Sequence, residues 1–218
     1  MSPSAKVLRG IQRLNRTRPP RLRPNAEEET RARPIVWPVL SREQAQEQWH
    51  AWFLRQGWTA FPFQIEAWRA FEAGRSGLVA VPTGSGKTYA AVGGPLLSVM
   101  SRPMRGRDPG LTLLYITPLK ALARDIAQAI QRPLDDLGWP IAVDLRTGDT
   151  SPTARRKFKE HLPHVLVTTP ESLAILLTDR GWEDRMHGVQ AIVLDEWHEL
   201  MGTKRGSLLE LTLARLRS

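Results

Sequence analysis

Two groups of residues in this 218-residue sequence have the types and spacing to handle a phosphorylated ligand. The first is Val81-Pro82-Thr83-Gly84-Ser85-Gly86-Lys87-Thr88, which follows an apolar run and opens a helical one. Gly84 and Gly86 permit a turn tight enough for successive N–H groups to converge on phosphate oxygens, and the positive end of the following helix reinforces them. Lys87 supplies a fixed positive charge for the outer phosphates, while the Thr88 hydroxyl suits a magnesium ion bridging them. Pro82 to Thr88 are therefore the candidate cofactor-binding residues, and ATP with Mg2+ is the expected ligand pair. The general phosphate-loop pattern has glycine where this chain has Val81, a larger residue at the strand-to-loop junction.

The second group is Ala191-Ile192-Val193-Leu194-Asp195-Glu196-Trp197-His198, an apolar strand ending in two carboxylates. In an open parallel sheet the ligand crevice lies outside such strand ends. Asp195 is the candidate to hold the metal, directly or through a water, and Glu196 to orient and deprotonate an attacking water. Taken alone, Asp-Glu at a strand end also serves as a helix cap. A lone histidine is more often a structural hydrogen-bonder, but the place of His198 directly after the carboxylates makes it a catalytic candidate. His50, His161, His164 and His187 have no such context.

Positioning these groups takes an α/β framework. After Gly77, short apolar runs alternate with helical stretches, as in a parallel sheet with crossover helices. Five strands are expected, at Leu78–Val81, Thr112–Thr117, Ile141–Leu145, Val165–Thr168 and Ala191–Leu194. Each is fairly continuously apolar because both sheet faces would be covered. Helices are expected near Lys87–Met100, Lys120–Leu137, Pro152–His161, Glu171–Thr178 and Ser207–Arg217. Upstream, Ser41–Ala73 reads as helical and is crowded with aromatics: Trp49, Trp52, Phe53, Trp58, Phe61, Phe63, Trp68 and Phe71. Most of these should be core. The expected organisation is a basic tail at 1–34, an aromatic helical segment at 35–76 and the sheet-containing domain at 77–218.

Hydrophobic residues at 41% and charged residues at 24% are ordinary globular proportions, which argues against a disordered chain. No apolar run nears the roughly 18 residues of a membrane span, so no membrane association and a cytoplasmic location are expected. With no cysteine, disulfides and thiolate-held zinc or iron-sulfur clusters are excluded. The net charge of +9 is unevenly spread: Met1–Pro34 holds nine of the 31 basic residues and three acidic ones, giving that segment +6. Much of the attraction to phosphate backbones thus resides in an Arg/Pro-rich tail, in which only a short helix over Ala5–Asn15 is expected.

Gly-Ser-Gly-Lys-Thr together with Asp195-Glu196-Trp197-His198 resembles superfamily 2 helicases of the DExH-box type. Thr117-Pro118-Leu119-Lys120-Ala121-Leu122, Arg146-Thr147-Gly148-Asp149-Thr150 and Thr168-Thr169-Pro170-Glu171-Ser172-Leu173 occur in that family's order and spacing. Gly202-Thr203-Lys204-Arg205-Gly206 after the acidic motif is similar to the Lhr-like branch, and Trp197 to its ligase-associated DNA-repair members. The resemblance implies a RecA-like, three-layer P-loop domain with a mostly parallel sheet, and a family in which the Val81 position takes a small residue.

It further implies that Thr117, Pro118, Lys120, Thr147, Gly148, Thr169, Pro170, Lys204 and Arg205 contact single-stranded DNA, with RNA or a hybrid left open, without reading bases. The alternative for each threonine motif is a helix cap or turn. Phe61-Pro62-Phe63-Gln64 resembles the adenine-recognition segment, Gln64 addressing the base edge and Phe61 stacking on the ring. In such motors a second RecA-like domain supplies an arginine for hydrolysis, and a DNA ligase or nuclease of a repair system is an implied partner. These 218 residues are expected to hold only the first lobe, which alone is expected to be inactive or very slow. The sequence also stops before the motif whose strand would lie between the phosphate-loop strand and the Asp195 strand. The sheet is therefore expected to be truncated before its last strands, with unpaired edges.

Overall fold

The computed structural model describes residues 40–102, 109–151, 153, 156, 158 and 160–217. The basic tail and its expected Ala5–Asn15 helix lie outside the described residues. Helix α1 (Arg42–Arg55) is started by Ser41 and Gln44, each accepting a hydrogen bond from the other's backbone N–H. This reciprocal cap satisfies two donors that a helix start otherwise leaves unpaired. Helix α2 (Pro62–Glu72) begins on proline, whose fixed φ suits the first helical turn. Helix α3 (Lys87–Met100) starts directly from the glycine loop, as expected from the sequence.

The sheet follows: β1 (Leu113–Ile116), α4 (Lys120–Leu137), β2 (Val143–Arg146), β3 (Val165–Thr168), α5 (Pro170–Leu176), α6 (Trp182–Met186), β4 (Ala191–Leu194) and α7 (Lys204–Arg217). The four strands are parallel in the order β2-β3-β1-β4. Alternation along each strand divides the core into two layers. Leu113, Tyr115, Val165 and Val167 pack with α1 to α4, while Leu114, Ile116 and Leu166 pack with Leu173, Leu209 and Leu213 of α5 and α7. The helices of the aromatic segment therefore share a core with the sheet. Trp49, Trp52, Phe53 and Trp68 are buried in it, whereas Trp58 and Phe61 are exposed.

One expected strand does not form. Leu78–Val81 pairs with no other strand, and Leu78 is 69% exposed. A strand exists through its neighbours' hydrogen bonds, and among the described residues no strand pairs with this segment or with the outer edge of β4. Consistently, β4 is only half-buried along its length, where β1 and β3 are buried throughout. Of the helix expected over Pro152–His161, the described residues Thr153, Arg156, Phe158 and Glu160 are helical, and Phe158 is buried.

Candidate nucleotide site and nucleic-acid rim

The glycine loop owes its shape to two left-handed backbones, Gly84 at φ +82° and Gly86 at φ +87°, a region costly for residues with a Cβ. Ser85 closes the loop by donating its N–H and hydroxyl to the Pro82 carbonyl, at 3.3 and 2.6 Å. The Gly86 carbonyl accepts from the Ala90 N–H at 3.1 Å and from the Gln64 amide at 3.0 Å. Pro82, Thr83 and Gly84 are exposed, so the loop's ligand-facing side is open.

Asp195 follows β4 and donates its N–H to the Ile116 carbonyl at 2.8 Å, which fixes it at the strand end. Glu196 sits at φ +43°, the one non-glycine residue with positive φ among those described. Strained backbones of this kind concentrate at functional sites. Lys87 Nζ donates to Glu196 Oε1 at 3.2 Å, joining the loop to the acidic strand end. His198 places Nδ1 at 3.4 Å from Glu196 Oε2 and Nε2 at 3.3 Å from Glu199 Oε1, in an exposed position.

Tyr115, a residue that sequence reading missed, completes the cluster. It lies on β1 opposite Val193 of β4, is buried, and its hydroxyl lies close enough to Thr88 and Asp195 to interact with both. Burial and the Asp195 charge push this phenol far above its ordinary range. Its one signal in the sequence is a polar-tipped ring in an otherwise apolar strand. Burial, then the adjacent Glu196 charge, also raises the Asp195 carboxyl above its usual value. The oxygen set fits magnesium: a hydroxyl at Thr88 and a carboxylate at Asp195, both near Tyr115 and beside a loop shaped for phosphate. Hard oxygen donors, few from the protein and the rest from phosphates and water, are what this ion takes.

The expected adenine contacts are placed differently from one another. Phe61 is exposed and stacks on Phe63 at 5.7 Å with the planes 14° apart, leaving a ring face for a base. Gln64 is buried, its Oε1 accepting from the Phe61 N–H at 2.8 Å while Nε2 holds Gly86. Both ends of its amide thus fix the phosphate loop to the start of α2.

The rim residues divide by burial. Thr117, Pro118, Thr147, Thr169 and Pro170 are buried, while Lys120, Gly148 and Lys204 are exposed. Thr117 Oγ1 accepts from the Leu119 N–H at 3.3 Å. Thr169 caps α5 by accepting from the Ser172 N–H at 3.4 Å. In this structure these threonines shape the turns and leave the exposed loop atoms to face outward. Lys120 pairs with Asp149 of the loop after β2. Arg205 is engaged by Glu171 and by the Pro118 carbonyl. His164, given no role from the sequence, is buried and accepts the Ala142 N–H at Nδ1, 2.8 Å away.

A glycine loop at a helix start, whose lysine meets a strand-end Asp-Glu, is an arrangement able to hold a nucleotide's phosphates. The family model for the DEAD/DEAH box helicase matches residues 61–218. The chain belongs to this helicase family.

Among curated relatives, this helicase domain is 40% identical over 177 residues to the Lhr helicase/probable uracil glycosylase of Mycolicibacterium smegmatis, an alignment covering 76% of this chain and 12% of that protein. It is 34% identical to the ATP-dependent helicase Lhr-Core of Methanocaldococcus jannaschii, covering 76% of this chain and 21% of the relative. The solved structure of Mycobacterium smegmatis Lhr bound to ssDNA and AMP-PNP superposes with TM-score 0.66 at 38% identity, over 79% of this chain and 22% of that one. The chain therefore spans roughly an eighth to a fifth of the length of these relatives. The DEAD-box helicase Mss116, 19% identical with TM-score 0.67, shares the fold, which is RecA-like as the sequence implied. No described helix is long and apolar enough to cross a membrane.

Proposed function

We propose that this helicase domain is the ATP-binding lobe of an ATP-dependent DNA helicase or translocase acting in DNA repair, with turnover requiring a second RecA-like domain. The observation that carries the reading is the Lys87–Glu196 contact at 3.2 Å, which brings two motifs 109 residues apart to one point. Backbone N–H groups of Thr83, Gly84, Gly86 and Lys87 would receive the phosphates, Lys87 would neutralise their charge, and Phe61 would stack on the base. Thr88 and Asp195 would hold Mg2+, which when bound neutralises charge on the transferring phosphoryl group. Glu196 would take the proton of the attacking water, with His198 orienting its second oxygen. For that, a bound nucleotide must draw Lys87 away from Glu196, freeing the carboxylate.

The exposed rim at the ends of β1, β2 and β3, with Lys120, Gly148 and Lys204, would follow a single strand's phosphates. Single-stranded DNA is the proposed track, in line with the ssDNA seen on the M. smegmatis Lhr. A ligase or nuclease partner and a cytoplasmic location belong to the same reading. The test is to join this lobe to a second RecA-like domain and measure ATP hydrolysis with and without single-stranded DNA. DNA-stimulated hydrolysis, lost in Lys87→Ala and in Glu196→Gln, is the expected result. Absence of hydrolysis in every such fusion, with nucleotide still bound, would instead make the chain a binding module.

A further inference from the structure

Arg205 stands where a basic residue would be read as a phosphate contact, yet its guanidinium is already committed. Nε and Nη2 donate to the two carboxylate oxygens of Glu171, and Nη2 also reaches the Pro118 carbonyl at 2.9 Å. Glu171 opens α5 after β3, and Pro118 lies in the loop after β1. The planar fork of arginine suits this two-oxygen grip, and a lysine ammonium does not reproduce it. The Glu171 carboxyl is correspondingly held below its usual range, chiefly by its hydrogen bond to Arg205.

The other end of Arg205 is equally fixed. Thr203 Oγ1 donates to the Leu200 carbonyl at 2.9 Å and accepts from the Gly206 N–H at 3.1 Å, capping the start of α7. Gly206 lies so close to Leu200 that an added Cβ would come within 2.1 Å of that carbonyl oxygen. Leu200 ends the short turn Trp197–Glu199 that leaves Glu196. A continuous set of contacts thus runs from the acidic turn, through the start of α7 and Arg205, to two loops of the rim.

We propose that Arg205 is a positioning residue that does not itself bind the strand: it clamps the loops after β1 and β3 to the acidic turn and so sets the spacing of the track. This deepens the proposed function and rests on the rim being a single-strand track. The experiment measures binding of a labelled oligo-dT to the full chain across a salt series. The variants are Arg205→Ala, Arg205→Lys, Glu171→Ala and the double alanine variant, with fluorescent-nucleotide affinity as a folding readout. All of them keep the basic tail, so differences between them report the rim.

The expected result is that Arg205→Ala and Glu171→Ala each weaken oligo-dT binding roughly three- to thirtyfold. The double variant should be no weaker than either single one, and Arg205→Lys should fail to restore binding. The slope of log affinity against log salt should stay unchanged. A direct phosphate contact predicts the opposite pattern: Arg205→Ala lowers the slope by about 0.7, Arg205→Lys keeps most of the affinity, and Glu171→Ala tightens binding. That pattern, or equal affinity in all variants, overturns the clamp. If the unaltered chain shows no oligo-dT binding, the track reading itself fails, a result distinct from either. Should Arg205→Ala lose nucleotide binding through misfolding, Glu171→Gln, which keeps the shape but removes the charge, decides by the direction of its effect.

Discussion

Gly84 and Gly86 lie two residues apart in the same loop with nearly the same positive φ, yet they should respond differently to alanine. At Gly84 nothing lies within 4 Å of an added Cβ, so Gly84→Ala costs only the left-handed backbone, about 1–2 kcal/mol. At Gly86 the same Cβ would fall 2.6 Å from the Gln64 amide nitrogen, which has no room because Gln64 is buried. Displacing that amide breaks its bond to the Gly86 carbonyl and leaves buried polar atoms unpaired, adding about 1–3 kcal/mol. Gly86→Ala should therefore cost about 2–5 kcal/mol against about 1–2 for Gly84→Ala. Urea unfolding of both variants measures this. Gln64→Ala combined with Gly86→Ala should recover part of the excess, because the clashing group is gone, while the combination with Gly84→Ala should be additive. Equal costs at the two glycines, or additivity in both pairs, would refute the assignment of Gln64 as the anchor of the loop.

Asp195→Asn should raise the melting temperature at neutral pH, because burial and the Glu196 charge make the ionised carboxylate costly there. A raised folded-state pKa favours folding at acid pH and loses that contribution as pH rises through it, so the gain should shrink as pH falls through the carboxylate range; a gain constant with pH counts against it. The same variant should lose the magnesium dependence of nucleotide binding, measured by titration with and without EDTA. Gly93→Ala should destabilise by about 1–3 kcal/mol or more, since its Cβ would meet the Trp68 indole nitrogen at 2.3 Å; thermal unfolding measures it. Lys120→Ala should weaken oligo-dT binding and lower the salt slope by about 0.7, as loss of one phosphate contact requires, and an unchanged slope would remove Lys120 from the track.

What the sequence revealed and what it hid follow from how local each feature is. The bounds of α3 and α4 were legible because their ends are set by local chemistry: the left-handed Gly86 before Lys87, and the left-handed Gly138 after Leu137. Strands β3 and β4 were legible from short apolar runs bounded by polar residues. Leu78–Val81 reads the same way, but a strand's existence depends on a partner, and the neighbour that the family resemblance implies for it is not among the described residues. The rim motifs were placed correctly at strand ends, yet the burial of Thr117, Thr147 and Thr169 was not visible, since a threonine that caps a turn and one that meets a phosphate look alike in sequence. Tyr115 was hidden for a related reason: its place in the site arises from the pairing of β1 with β4, which lie far apart in the sequence.

The absence of pairing at Leu78–Val81 raises the question of what holds the phosphate loop opposite Asp195 at all. The structure answers it from the helical side. Trp68 of α2 donates its indole N–H to the Tyr89 carbonyl on the first turn of α3, at 2.9 Å, and packs on Gly93 one turn later. Gln64, one helical turn earlier on α2, holds the Gly86 carbonyl. Tyr115 lies beneath, on the sheet, near both Thr88 and Asp195. Among the described residues the loop is thus held by α2 behind it, with Tyr115 of the sheet beneath it. Lys87 and Glu196 meet where the start of α3 faces the end of β4, and because α2 holds that start, the aromatic segment upstream is part of the site's framework.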